Sequence, residues 1–272
     1  MRSTLNKAFF LALIILPAAA AHAQERPIQT RLFGSVQQLV DKGRIEAGSG
    51  YGAGAELSTR LWPGVRLRAA LHYEVAGLEQ AGVLDEWQWD YWDKTYIPFL
   101  PGANLTRINQ ELVYTSTDSI YSAVFEPTQK MNELHFSLGL TWEIPLGAGF
   151  TPYLGLSGGL DLYKRQLEME EHWIKRFDLD TLRAGLDYEY PLDVLHFAPP
   201  KQGKRLFIMP TLGLRYTLST SVDLDGTAHY IYYPGREAIA GLENLFNISS
   251  DSAQWFPFKS KLLLTLGLTF KY

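Results

Sequence analysis

The last twelve residues, Lys261–Tyr272 (KLLLTLGLTFKY), constrain the fold more than any other stretch. From Leu262 the even positions read Leu, Leu, Leu, Leu, Phe, Tyr, and from Lys261 the odd positions read Lys, Leu, Thr, Gly, Thr, Lys. This period of two is that of a β-strand. One face is wholly apolar and ends in two aromatic rings, while the other is mostly small or polar. A strand that ends the chain on so apolar a face suits the closing strand of a membrane barrel.

Other parts of the chain point to export and bound the class. Arg2 and Lys7 make a basic start, Phe9 to Pro17 an apolar core, and Ala21-His22-Ala23 a small-x-small cleavage site. The reading is a signal peptide over 1–23 and a mature chain from Gln24. No mature segment has eighteen consecutive apolar residues, which excludes spanning helices but not barrel strands, which need only about 9–11 residues each. Cysteine is absent, so disulfides and thiolate metal sites are excluded. Acids outnumber bases, 29 to 25, which argues against a nucleic-acid partner.

Further alternating runs come in pairs around shorter connections. Gly48–Arg60 and Gly64–Ala76 flank Leu61-Trp62-Pro63, and Glu133–Ile144 and Phe150–Tyr163 flank 145–149. Thr181–Tyr190 and Leu206–Leu218 follow, joined by a longer segment. The runs have outward faces fit for lipid, such as Val65, Leu67, Ala69, Leu71, Tyr73 and Val75, or Leu134, Phe136, Leu138, Leu140, Trp142 and Ile144. Most exceed the usual strand of about five or six residues and match tilted spanning strands. The sequence predicts an all-β, antiparallel transmembrane barrel over 24–272 with short periplasmic turns. Its long external loops fall at about 38–46, 77–131, 164–179 and 219–258. Both ends of an even-stranded barrel lie on one side, so a fainter strand over Pro27–Gln37 is required. The count is eight, or ten if Leu105–Val124 adds a hairpin. Trp142, Phe150, Tyr188, Tyr190, Phe270 and Tyr272 then fall near the periplasmic rim, and Tyr73, Phe136 and Tyr216 near the outer one.

The segments Thr151–Leu162 (TPYLGLSGGLDL) and Leu266–Tyr272 (LGLTFKY) resemble the OmpA-like and OmpX-like superfamily of small outer-membrane barrels. The resemblance implies delivery to a bacterial outer membrane, with lipid and lipopolysaccharide as surroundings. Phe270 and Tyr272 resemble the signal read by the barrel insertion machinery. The Ala23-Gln24 junction resembles that of exported proteins of the Bacteroidota. Members include structural barrels, adhesins and small-solute channels, so function stays open on this ground.

Inward faces carry many charges: Glu56, Arg66, Arg68, Glu74, Glu133, Glu143, Asp161, Arg183, Asp187, Glu189 and Arg215, with His72 and His135 among them. An eight-stranded lumen is just wide enough for side chains to fill, and unpaired charge there is costly. A paired, plugged interior is the first reading and a small-solute channel the second. A third is enzymatic. His135-Phe-Ser137, with Glu133, has the ingredients of a hydrolase relay and resembles the His-x-Ser of lipid A deacylases. It departs from that motif at Leu138, where the deacylases have Asn, and it faces the lumen. His172, His196 and His229 read as isolated loop or turn residues. Asp161, Asp180, Asp223 and Asp225 lack calcium-loop spacing, and no pattern implies a metal or cofactor. In the second loop Trp87, Trp89, Tyr91 and Trp92 alternate with acids and an amide. They read as anchors for an external protein or glycan, or as a cap on the barrel mouth together with Tyr230–Pro234 and Trp255–Phe258.

Overall fold

A computed structural model describes residues 28–178, 187–235, 246, 248 and 254–272. The expected signal peptide, Asp180, Arg183 and most of the expected strand Thr181–Tyr190 lie outside the described residues. The strands are β1 (Ile28–Asp41), β2 (Ala47–Trp62), β3 (Val65–Glu79), β4 (Val113–Thr115), β5 (Tyr121–Glu143), β6 (Phe150–Asp178), β7 (Asp187–Phe197), β8 (Lys201–Thr217), β9 (Val222–Tyr232) and β10 (Ser260–Lys271). Eight of them close a ring in the order β1-β2-β3-β5-β6-β8-β9-β10, all antiparallel. The faint first strand is real: β1 pairs with β10 on one side and β2 on the other, from Gln29↔Lys271 to Asp41↔Ser260 and from Ile28↔Thr59 to Gln38↔Ser49. Closure removes the edges that an open sheet would expose.

Outside and inside alternate as a bilayer requires. On β10, Leu266 is 62% exposed while its neighbour Thr265 is 5% exposed. Leu140, Leu154, Leu156, Leu212, Leu214, Leu264 and Leu268 continue this apolar belt around the ring. Uncovered leucines in such a band are stable only against lipid, so the barrel spans a membrane. Among the described residues no helix is long and apolar enough to do so. Inside, rings lie flat on glycines of the next strand. A Cβ at Gly213 would stand 2.1 Å from the Tyr153 ring, and one at Gly54 would stand 2.4 Å from that of Phe33.

The structure corrects the expected order at one place. Val222–Tyr232, assigned to the loop 219–258, is the wall strand β9, and Asp187–Tyr190, the described end of the expected strand Thr181–Tyr190, belongs to β7, outside the ring. β6 pairs directly with β8, from Phe150↔Tyr216 to Arg165↔Lys201. β8 therefore descends and β9 ascends, joined by a short turn at 218–221. Tyr216 consequently sits at the periplasmic rim, 4.7 Å from the Phe150 ring, not at the outer rim. Tyr188 and Tyr190 belong to β7, outside the membrane. The physical reason is the content of β9. Its outward face reads Leu224, Gly226, Ala228, Tyr230, Tyr232 and its inward face Asp223, Asp225, Thr227, His229, so small and charged residues hide the alternation.

Two wall strands run far past the bilayer. β6 has 29 residues, roughly 95 Å of chain at ~3.3 Å per residue, and β5 has 23. Above the membrane they stay paired up to Tyr121↔Lys175. Much of the expected loops 77–131 and 164–179 is thus strand. β4 adds to β5 at Val113↔Val124, and β7 adds to β6 from Glu168↔Phe197 to Asp178↔Asp187. The hairpin expected over Leu105–Val124 exists only as β4 and the start of β5, and it stands outside the ring. Leu105–Glu111 is instead helix α2, capped by Asn104, whose side chain accepts from the Arg107 N–H at 3.1 Å. A shorter helix, α1 (Val83–Trp87), precedes a π-helical turn at Tyr91–Tyr96.

Candidate functional site

Inward side chains pair in layers across the lumen. Near the periplasmic end, arginines and carboxylates from six strands interlock. Arg31 on β1 and Arg215 on β8 both reach Asp225 on β9, at 3.1 and 3.2 Å. Arg215 and Arg66 share Glu143, at 2.7 and 3.0 Å. Arg68 donates through Nε to Glu56 at 2.7 Å. The hydroxyl of Tyr153 donates to Asp225 at 2.7 Å, and the Arg68 and Arg215 guanidinium groups lie over its ring at 5.0 and 5.5 Å. Charges in so narrow a space are stable only when paired and hydrogen-bonded.

A second layer lies higher. The pairing of β3 with β5 sets Glu74 opposite Glu133 and His72 opposite His135. Like charges opposite each other repel, and Lys261 resolves this from across the lumen. Its Nζ donates to Glu74 and, at 2.9 Å, to Glu133. Glu74 also meets His135 Nε2 at 2.8 Å, and Asp161 on β6 stands opposite His135. Tyr233 donates to Asp161 at 3.0 Å and Glu133 at 3.3 Å. Above this layer the rings of Tyr233, Phe256 and Phe258 stack at 4.4–5.7 Å between centroids, with Leu39, Met131, Tyr163 and Phe207 around them. Between the layers a cavity of about 30 Å³, bordered by His72, His135, Ser137 and His229, has room for about one water.

The sequence-derived residues distribute as follows. Arg66, Arg68, His72, Glu74, Glu133, His135, Glu143, Asp161 and Arg215 all face the lumen in these two layers. Arg183 lies outside the described residues, and Asp187, in β7, is not part of the ring. Glu189 is an exposed residue of β7, paired with Arg176 at 3.0 Å. His229, read as a loop residue, is a buried lumen residue bonded to Thr211 at 2.8 Å. His172 is half-buried on the upper part of β6, where its hydrogen bond to Asp193 raises its pKa. Phe270 and Tyr272 stand at the periplasmic end, the Tyr272 N–H donating to Ile28. Arg31, Asp225, Tyr233 and Lys261 were missed as network members. Lys261 had a signal, since it is the charged residue that leads the polar face of the closing strand.

Of the two readings of Trp87, Trp89 and Trp92, their burial fits a packed cap and not exposed anchors. They are buried, with Trp92 0% exposed, and only Tyr91 is open, at 45%. The overhanging β5–β6 sheet gives these rings an apolar face to cover. They pack with Leu84, Ile108, Phe125, Leu167 and Met169 into an extracellular core. At its centre the carboxylate of Glu171 accepts from Tyr96 at 2.5 Å and Trp173 at 2.6 Å. Burial first, then this carboxylate, raises the Tyr96 pKa. Arg165 ties the core to the wall through Gln129 at 2.8 Å and Glu86 at 3.1 Å. Trp255 leans on Trp87 at 5.8 Å, joining this cap to the lumen roof.

No family model and no curated protein matches the chain. Several solved barrels are similar in fold. Ail of Yersinia pestis, in complex with the heparin analogue sucrose octasulfate, has a TM-score of 0.43 and 6% identity, covering 92% of this chain and 100% of that one. Neisserial surface protein A gives 0.40 and 11%, covering 90% and 97%. OprG from Pseudomonas aeruginosa gives 0.39 and 11%, covering 90% and 96%. The assignment as a membrane barrel rests on the closed ring and the apolar belt.

Proposed function

We propose that this chain is a non-enzymatic bacterial outer-membrane barrel with a closed lumen, whose working surface is the platform built on β5 and β6. Its role is structural or surface-binding. The observation that carries the reading is the filled cross-section at Lys261, roofed by Tyr233, Phe256 and Phe258. A channel needs a continuous wet path, and this packing supports its absence. The enzymatic alternative is disfavoured by orientation, because His135 and Ser137 face the lumen while acyl chains lie outside the wall. His135 is engaged by Glu74, and Glu133 by Lys261. Cleavage near Ala23 and insertion through a signal at Phe270 and Tyr272 complete the proposed route.

An external protein or glycan has a place to bind. Above Leu78↔Gln129, β5 has lost β3 as a neighbour and has not yet gained β4 at Val124. A cleft of about 640 Å³ opens there, with Lys42, Glu79, Gln80 and Glu126 on its walls and Leu78 and Phe125 among its apolar lining. Ligand sites typically combine this volume with a few convergent polar groups.

The absence of cysteine makes orientation easy to test. Thr117→Cys lies in the exposed turn between β4 and β5, and Leu146→Cys lies in the exposed β5–β6 turn. An impermeant maleimide is expected to label the first in intact cells, and the second only after the outer membrane is permeabilised. The reverse pattern would overturn the proposal.

A further inference from the structure

We propose that Glu133, His135 and Asp161 bind a divalent cation of the borderline first-row class, with Zn2+ as its type. The three come from neighbouring strands. His135 and Asp161 are a direct cross-strand pair, and Glu133 precedes His135 by two residues on the same inward face. Their ligand atoms lie within 4.8 Å of one another.

Two buried atoms point into this space without partners. His135 Nδ1 and Asp161 Oδ1 make no hydrogen bond, although His135 is 4% exposed and Asp161 0%. They stand 3.6 Å apart, too far for a hydrogen bond. Two ligands of one tetrahedral ion, with bonds of ~2.0–2.1 Å, stand about 3.4 Å apart. Orphaned buried polar atoms are costly, and a shared cation would satisfy both.

The surroundings fit the role. His135 Nε2 stands 2.8 Å from Glu74 and 3.2 Å from Lys261 Nζ; in the tautomer that donates Nε2–H to Glu74, the Nδ1 lone pair faces Asp161. A carboxylate behind a ligating imidazole is the usual outer partner of such a site. Tyr233 holds the other Asp161 oxygen and Glu133 Oε2, while Lys261 donates to Glu74 and to Glu133 Oε1, away from His135 Nδ1. Charge supports the same conclusion. Glu74, Glu133 and Asp161 are all fully buried, and Lys261 neutralises one of the three. A dication neutralises the other two, with both histidines neutral. Imidazole with carboxylates suits zinc and its neighbours in the series.

The aromatic roof implies that the ion enters as the barrel closes. The full mature chain is therefore refolded from urea into detergent micelles with Zn2+ or with EDTA, then freed of loose metal by gel filtration. Elemental analysis is expected to find about one zinc per chain after refolding with Zn2+. Asp161→Asn, which keeps the shape of the side chain, is expected to lose it. Refolding with Co2+ gives an independent reading, because a low-symmetry nitrogen–oxygen site produces visible absorption bands in the native sequence. Folded native protein with less than about a tenth of an equivalent of zinc, or with no cobalt bands, would overturn the proposal. Such a result would leave the closed lumen untouched.

Discussion

Lys261→Met is expected to destabilise the barrel by about 3–5 kcal/mol, the usual cost of stripping one partner from a buried ion pair. Lys261 and both of its carboxylate partners, Glu74 and Glu133, are 0% exposed. Water cannot replace the lost ammonium beneath a roof of aromatic rings. Urea titration in micelles, read by the gel shift between folded and unfolded barrel, would measure the loss. Adding Glu74→Gln and Glu133→Gln is expected to restore much of it, since two neutral amides need no counter-charge. A single variant within about 1 kcal/mol of the native chain, the range of exposed pairs, would mean that Lys261 does not hold this layer together.

Trp92→Ala is the second large effect. The ring stacks on Trp89 at 5.9 Å and meets Phe125 edge-on at 5.2 Å. Its indole N–H donates to Asn109 at 3.4 Å. Truncating a buried tryptophan costs about 3–5 kcal/mol. The loss is expected to be local, because this core packs on the extension of β5 and β6 above the membrane. Limited proteolysis of the variant in micelles is expected to cut within 77–131 while the barrel keeps its resistance to heat in detergent. Native-like protease resistance would show that the loop helices do not depend on this ring.

Much of the fold was legible because bilayer and lumen impose opposite demands on alternate residues. β3, the lower half of β5 and β10 answer them with few exceptions, such as the inward Leu263, and their faces were read correctly. β9 was not, because its inward aspartates and outward Gly226 and Ala228 weaken both signals at once. The upper parts of β5 and β6 were read as loop for a related reason. Above the membrane their outward positions, such as Lys164, Gln166, Glu168 and Glu170, face water, so the lipid-facing signature ends where the strand does not. Residues within the lumen could be assigned strand by strand, but their partners could not. Lys261 reaches Glu74 across the barrel, and that contact follows from the closed ring rather than from spacing along the chain. Trp87, Trp89 and Trp92 carry no period that tells an exposed anchor from a packed core. Only the overhanging sheet decides it.

Single-channel recording in planar bilayers tests the closed lumen most directly. The paired layers at Asp225 and Lys261, under the roof of Tyr233, Phe256 and Phe258, require current traces without steady steps at any holding potential that the bilayer survives. Reproducible ohmic steps from the folded native chain would contradict it, and would mean that the lumen holds a continuous path for water and ions.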